Sequence, residues 1–470
     1  MIRAPAYRGQ TVAVLGLGRS GLATARALAA SGARVLAWDD DAARRAEAEA
    51  AGIAPGDLAG CDWTQVYALV MSPGIPLHFP KPHPIAAAAK AAGCAVICDV
   101  EILLASETGA RAVGITGTNG KSTTTALTAH ILRTTGHATA LGGNIGIAAL
   151  ALDPPGPDGI YVLELSSYQL DLMATAGLDV AVLLNITPDH LDRHGGFAGY
   201  VDAKRHIVSL LRPAGTFVVG VDDEPSRAIA DAARRRGVRV VPISVGGDAA
   251  GGISVRDGIL VDDLGGAGRT AADLAAAPTL PGPHNWQNAA AAYATVRALG
   301  VPAAQAAAAL ATYPGLAHRQ ELIATVNGVR YINDSKATNA DATAKALACY
   351  RRIHWIAGGR AKEGGIASLA PWFDRIACAY LVGESMDAFA ATIADRIPCR
   401  RCGDLSAALA EAHRAAQAES ATQAGREAGP VVLLSPAAAS FDQWRDFEAR
   451  GDAFRAMVRT LAGHPRRACA

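Results

Sequence analysis

Two glycine-rich stretches carry the residue types best suited to holding phosphate. Gly16-Leu17-Gly18-Arg19-Ser20-Gly21 has the G-x-G-x-x-G spacing, follows an apolar run and precedes an Ala-rich stretch. Backbone N–H groups and the dipole at a helix start favour an anion there. Asp39 comes 18 residues after Gly21, near where an acidic side chain meets a ribose in a dinucleotide site. Three readings fit: a tight turn without a ligand, an NAD site, or a site for another diphosphate nucleotide. The motif alone does not separate the last two. The second stretch is Gly114-Ile115-Thr116-Gly117-Thr118-Asn119-Gly120-Lys121-Ser122-Thr123-Thr124. It ends as a P-loop does, with a lysine for the β- and γ-phosphates and a hydroxyl for Mg²⁺. Its upstream glycine is displaced, because Ile115 stands where the regular spacing needs one, so this is a variant P-loop. A dehydrogenase needs one such cradle. An enzyme that uses ATP to activate a nucleotide-linked substrate needs both.

A magnesium nucleotide calls for carboxylates at strand ends in the same region. Glu164 closes the run Ile160-Tyr161-Val162-Leu163, where it can reach a cation beside the P-loop. A second apolar run, 180–186, empties into Thr187-Pro188-Asp189-His190-Leu191-Asp192-Arg193-His194, a site pattern for open α/β sheets. His190 is a candidate metal ligand. His190 and His194 sit four apart, which raises zinc, but the glutamate of H-E-x-x-H is missing. Asp189 and Asp192 also suit a helix N-cap. Asp222-Asp223-Glu224 reads as a turn rather than a metal site. Cys399 and Cys402 form one C-x-x-C with no second pair nearby, so surface or half-buried thiols are expected rather than zinc.

The elements that position these residues follow from length and pattern. The chain has 470 residues, which at about 150 per domain suggests three. Short β-branched runs alternate with Ala-rich helical stretches, so parallel sheets with helices on both faces are expected. The pattern restarts at Ala112-Val113-Gly114-Ile115 and at Val329-Arg330-Tyr331-Ile332. The expected fold is α/β in three domains: 1–102, Rossmann-like; 103–315, a P-loop ATPase-type domain with a mainly parallel sheet; and 316–470, Rossmann-like again. Residues 246–268 read as hairpin loops and 407–425 as a solvated helix. With 44 Lys+Arg against 43 Asp+Glu there is no long-range field for gripping polyanions, so no nucleic-acid partner is expected. No stretch approaches the roughly 20 apolar residues of a membrane span. The start lacks a signal peptide, so a cytoplasmic protein is expected.

The second loop, Gly117-Thr118-Asn119-Gly120-Lys121-Ser122-Thr123, resembles the P-loop of the Mur ligases, the ATP-dependent amide-forming enzymes of peptidoglycan synthesis. Further segments carry the resemblance along essentially the whole chain. They are Ser72-Pro73-Gly74-Ile75, Gly142-Gly143-Asn144-Ile145-Gly146, Glu164-Leu165-Ser166-Ser167-Tyr168-Gln169-Leu170 and Asp189-His190-Leu191-Asp192-Arg193-His194. After these come His284-Asn285 with Asn288, Asn333-Asp334-Ser335-Lys336-Ala337-Thr338-Asn339, and the stretch 434–444. Several of these segments are similar to those of one member of the family, which adds D-glutamate to a UDP-linked muramoyl substrate. The resemblance implies a monomer using ATP and two Mg²⁺ ions. Lys121 would contact the ATP phosphates. Ser122 and Glu164 would bind one Mg²⁺, and His190 with a carbamylated Lys204 the other. Asn288, Arg319, Asp334 and Lys336 would complete the ATP site. Gly18, Ser20, Asp39, Ser72 and Gly74 would hold the UDP part, so the first loop would not bind NAD, and Asn144 and Ser166 would steer the muramoyl part. Thr338, Lys362, Ser440 and Phe447 would take D-glutamate. Gly359-Arg360-Ala361-Lys362 departs from the family's commoner aspartate-glycine pair before the lysine. Three sites on three domains imply closure about a hinge near Leu316.

Overall fold

The computed structural model describes residues 1–107, 109–175, 177–422 and 429–463. Its contacts divide the chain into two compact units, Met1–Leu274 with Asn285–Tyr313, and Ala275–His284 with Pro314–Ala470.

The first unit holds two sheets. In the smaller, four parallel strands run in the order Arg34–Trp38, Thr11–Leu15, Ala68–Met71, Ala95–Ile97. Val12 to Leu15 are buried, which suits a strand covered on both faces. The chain leaves Thr11–Leu15 for one neighbour and later returns on its other side. The crevice at the carboxyl ends of such strands is where open α/β sheets bind ligands, and Gly16 and Ser72 lie there.

The larger sheet has nine strands. Their order is Arg269–Asp273, Ile259–Asp262, Ile253–Arg256, Arg239–Ser244, Leu211–Gly220, Leu178–Leu183, Arg111–Thr116, Ile160–Glu164, Thr139–Gly143. Seven pair in parallel, and Ile259–Asp262 and Arg269–Asp273 add antiparallel pairs at one edge. Residues 246–268 thus supply two paired strands to this sheet rather than loops alone. Arg111–Thr116 lies between Leu178–Leu183 and Ile160–Glu164, so the second glycine loop also opens at a point where strand order reverses. The stretch around the expected first boundary is the helix Asp99–Ser106, with Val100, Ile102 and Leu103 fully buried. Glu101 accepts the N–H groups of Ala174 and Thr175 (3.0 and 2.9 Å), which ties the helix to the larger sheet's loops. Thr108, at the end of that stretch, lies outside the described residues.

The second unit has six strands in the order Glu321–Val326, Val329–Asn333, Val431–Leu434, Ile353–Gly358, Ile376–Val382, Cys399–Gly403, all parallel except the first pair. The helix Leu405–Thr422 is not solvated all round. Leu405, Ala408, Leu409, Ala412 and Ala416 recur at helical spacing and are buried, which makes one face core. Residues 423–425 of that expected helix lie outside the described residues. Cys399 and Cys402 are free and half-buried.

Candidate active site

The second loop is shaped by two glycines and braced by neighbouring elements. Gly117 and Gly120 have φ of 150° and 86°, conformations that side chains avoid. A Cβ on Gly120 would lie 2.1 Å from Asn288 Oδ1, so the loop rests directly on Asn288. Asn288 also accepts from the Thr124 hydroxyl (3.2 Å). Asn119 N–H donates to Asn185 Oδ1 (2.9 Å) and Thr118 N–H to the Asn185 carbonyl (2.9 Å). Lys121 Nζ donates to the Gly117 and Thr118 carbonyls, both at 2.9 Å. Lys121–Thr134 is helical, so Ser122 and Thr123 sit in its first turn, with Ser122 buried.

Beside this loop the structure gathers Glu164, Lys204 and His190. Glu164 is buried; its Oε1 accepts from Asn144 Nδ2 (2.8 Å), and Oε2 has no hydrogen-bond partner among the described residues. Lys204 is 1% exposed. Its Nζ donates to the Thr116 hydroxyl (3.3 Å) and lies 4.8 Å over the Tyr200 ring. Burial, and then the charge of Lys121, push the Lys204 amine far below its ordinary pKa. That burial favours the uncharged form of the amine. Burial also lowers His190, with Lys121 and Lys204 adding to the effect and Asp189 opposing it, which favours the uncharged imidazole that can ligate. His190 itself, at φ 51°, caps the short helix Leu191–His194; Asp189 and Asp192 do not. His194 lies apart from this chemistry: Ser167 Oγ (2.9 Å) and Asp171 (3.3 Å) hold it. Among the described residues no three His, Cys, Asp or Glu side chains are grouped to hold a metal ion by themselves. A cation at Glu164 would need other oxygen donors, and hard divalent cations readily take phosphate and water. The orphaned carboxylate oxygen of Glu164 fits that use. Asp222 and Asp223 do form a turn: Asp222 takes Ser244 Oγ (2.6 Å), and Asp223 caps Glu224–Arg235.

The first loop is closed by side chains from neighbouring segments. A Cβ on Gly21 would meet the Gly16 carbonyl at 1.7 Å. Ser72 Oγ donates to that carbonyl (3.0 Å). Asp39 accepts from Leu17 N–H (2.6 Å) and Asp41 N–H (2.9 Å), so each of its oxygens is engaged by backbone. Gly18 is the N-cap of Arg19–Ala30 without a side-chain cap bond, and Ser20 lies in that helix's first turn. Gly74 is open on its side-chain face. Ser166, expected to steer substrate, has its hydroxyl in a capping box with Gln169.

The second unit brings some expected residues together and leaves others apart. Asp334 is buried and takes Ser435 Oγ (2.8 Å) and Gln320 N–H (3.1 Å); burial pushes its pKa up to about 7, tempered by these bonds and by the Arg319 charge. Lys336 Nζ sits 3.7 Å over the Phe447 ring. Ser440 is buried, and its hydroxyl has no hydrogen-bond partner among the described residues; Ala337 N–H closes the turn on the Asp334 carbonyl, and Thr338 N–H donates to the Lys336 carbonyl (2.9 Å each). Lys362 is exposed. It and Ser440 follow opposite ends of the short ribbon Arg360–Ala361/Ala438–Ala439. Arg450, not anticipated from sequence, is buried and donates to Ser335 Oγ (3.0 Å), the Ser335 carbonyl (2.9 Å) and the Ala438 carbonyl (3.2 Å). Tyr200 was missed too, although it precedes Lys204 by one helical turn, a spacing that puts both on one face.

A variant P-loop at one strand-order reversal, a G-x-G-x-x-G loop at another, and a buried lysine and a buried glutamate near the first are the features of a nucleotide-dependent α/β enzyme. A family model described as the Mur ligase middle domain matches residues 115–296, and one described as the Mur ligase glutamate ligase domain matches 318–438. The chain belongs to the Mur ligase family. A relative from Paramagnetospirillum magneticum is 53% identical over 461 residues, covering 98% of this chain and 99% of the relative. One from Rhodospirillum rubrum is 51% identical over 462 residues, covering 97% and 96%. Both are named UDP-N-acetylmuramoylalanine--D-glutamate ligase. Among solved structures, the UDP-N-acetylmuramate-alanine ligase of Thermotoga maritima aligns with a TM-score of 0.58 at 17% identity, over 96% of this chain and 99% of that one. That likeness shows the shared α/β fold.

Proposed function

We propose that this chain is an ATP-dependent ligase that joins D-glutamate to UDP-N-acetylmuramoyl-L-alanine during peptidoglycan precursor synthesis, acting as a cytoplasmic monomer. The names of its relatives support the substrates. Among the described residues no helix is long and apolar enough to cross a membrane. The observation that carries the chemistry is the buried Lys204 amine beside the unpartnered oxygen of Glu164, next to the P-loop.

A carboxylate is a poor electrophile. Moving the γ-phosphoryl group of ATP onto the L-alanine carboxylate gives an acyl phosphate, which the amine of D-glutamate attacks with release of phosphate. Lys121 and the 117–123 backbone hold the phosphates and offset the repulsion between the two anions, an electrostatic and positioning effect. Two Mg²⁺ ions, when bound, would add to that neutralisation, with Ser122 and Glu164 at one and His190 and carbamylated Lys204 at the other. A neutral Lys204 amine adds CO₂ and loses a proton, becoming an anionic oxygen donor that an ammonium cannot be. Asn288, Arg319, Asp334 and Lys336 complete the ATP site. Gly18, Ser20, Ser72 and Gly74 receive the UDP part, with Asp39 holding the loop's shape. Asn144 orients Glu164 and the muramoyl end, and Ser166 fixes the helix start beside it. Thr338, Ser440, Phe447 and Lys362 take the glutamate. The test is phosphate release from ATP with the UDP-muramoyl-alanine acceptor and each glutamate enantiomer. Release that requires the acceptor and prefers D-glutamate is expected; release independent of both overturns the reading.

A further inference from the structure

The geometry points to Arg193 as a positioning residue that sets the distance between the two phosphate loops of the first unit. Arg193 Nη1 donates to the Gly74 carbonyl (3.0 Å), a bond across 119 positions of sequence. Its guanidinium lies 4.6 Å over the Tyr168 ring, and its Nε is buried without an acceptor among the described residues. Arginine can stack and donate at once because its cation is planar; lysine cannot do both. Gly74 follows Ser72, which holds Gly16 of the first loop. Arg193 also stands three residues after His190, in the same single helical turn. One turn of chain therefore touches both halves of the site.

The turn is itself anchored. His194 is bonded to Ser167 Oγ and Asp171 and stacks on Tyr168 with ring planes 11° apart. Serine, histidine and aspartate occur here in the order of a nucleophilic triad. Ser167 is 3% exposed, however, so this arrangement is a brace rather than a nucleophile. On the other side, Gly195 has φ 67°, and a Cβ there would lie 2.8 Å from the Phe79 ring. The segment 193–195 is thus held by residues 74 and 79 from one side and 167, 168 and 171 from the other. A substrate anchored at Gly16–Gly21 must present its acid end at Glu164 and Lys121, and Arg193 fixes that span. This inference rests on the ligase reading above.

The experiment compares wild type, Arg193→Met and Arg193→Lys, measuring calorimetric binding of the UDP-muramoyl-alanine acceptor and of MgATP, steady-state kinetics and Tm. Arg193→Met is expected to raise the acceptor KM about 10- to 100-fold, leave the ATP KM within about twofold, and keep wild-type-like melting. Arg193→Lys, which retains only the donor, should recover part of the loss. Equal rises in both KM values, or an unchanged acceptor KM in either folded variant, would overturn the inference alone. Wild type that binds MgATP but no acceptor would instead overturn the ligase reading.

Discussion

Each of the two glycine loops leaves a buried parallel strand at a point where strand order reverses, yet the polar side chains around them are used differently. At the first, Ser72 and one oxygen of Asp39 bond to the loop's own backbone, and the other Asp39 oxygen takes the Asp41 N–H. At the second, Glu164 keeps one oxygen without a partner, and Lys204 has a single hydroxyl at 3.3 Å. Buried polar groups are nearly always paired within the protein, and their exceptions gather where a ligand completes the set. The first loop is a shape held ready by side chains, whereas the second is a set of charges held ready by shape. Substitutions should therefore separate the two: loss of stability at the first, loss of chemistry at the second.

The largest effect is expected at Lys204. Lys204→Ala should lower turnover by about 10³-fold, or ~4 kcal/mol of barrier, while MgATP binding persists. Short carboxylic acids should restore part of the rate by supplying the missing anionic oxygens. Full activity in the variant would remove the carbamate. A dead variant that no acid rescues would reduce Lys204 to a packing residue and weaken the contrast between the loops. Glu164→Gln comes next, with a loss of about 10²-fold. Its melting temperature should stay near the wild-type value, because the substitution removes a buried charge whose second oxygen has no partner, and Asn144 can still donate to the amide oxygen. A large drop in Tm would make Glu164 a structural residue like Asp39.

Much of this was legible before any coordinates, for identifiable reasons. Strands such as Thr11–Leu15 and Ile160–Glu164 are short apolar runs whose ends coincide with chemistry-bearing residues, so the pattern and the site announce each other. The loops were readable because glycine at positive φ leaves a spacing that side chains cannot imitate. What stayed hidden depends on three-dimensional partners. That Asp39 faces two backbone N–H groups and Ser166 caps its own helix cannot be read from residue type, since the same residues at the same spacing also suit a ligand. The helix Asp99–Ser106 was invisible as a connector because its buried residues face two neighbours and show no single apolar stripe. Arg193 and Arg450 look like ordinary surface arginines until the fold sets the first, half-buried, and the second, buried, against carbonyls 119 and 12 positions away.

The smallest effect decides most about the comparison. In Asp39→Asn the side chain keeps one acceptor oxygen, so either the loop's Leu17 N–H or the Asp41 N–H loses its carboxylate acceptor. A hydrogen bond of that kind contributes about 1–2 kcal/mol, which in a unit of this size corresponds to a Tm lower by only a few degrees. If Asp39 acts only by holding the loop, the loss of stability and the rise in acceptor KM should be of similar free energy, and a saturating acceptor should restore both Tm and turnover, because ligand that binds the folded loop offsets its looseness. If Tm is unchanged and only the acceptor KM rises, Asp39 touches the ligand directly. The first loop would then hold a charge ready just as the second does, and the distinction between a shape and a set of charges would fail at the residue on which it is most exposed.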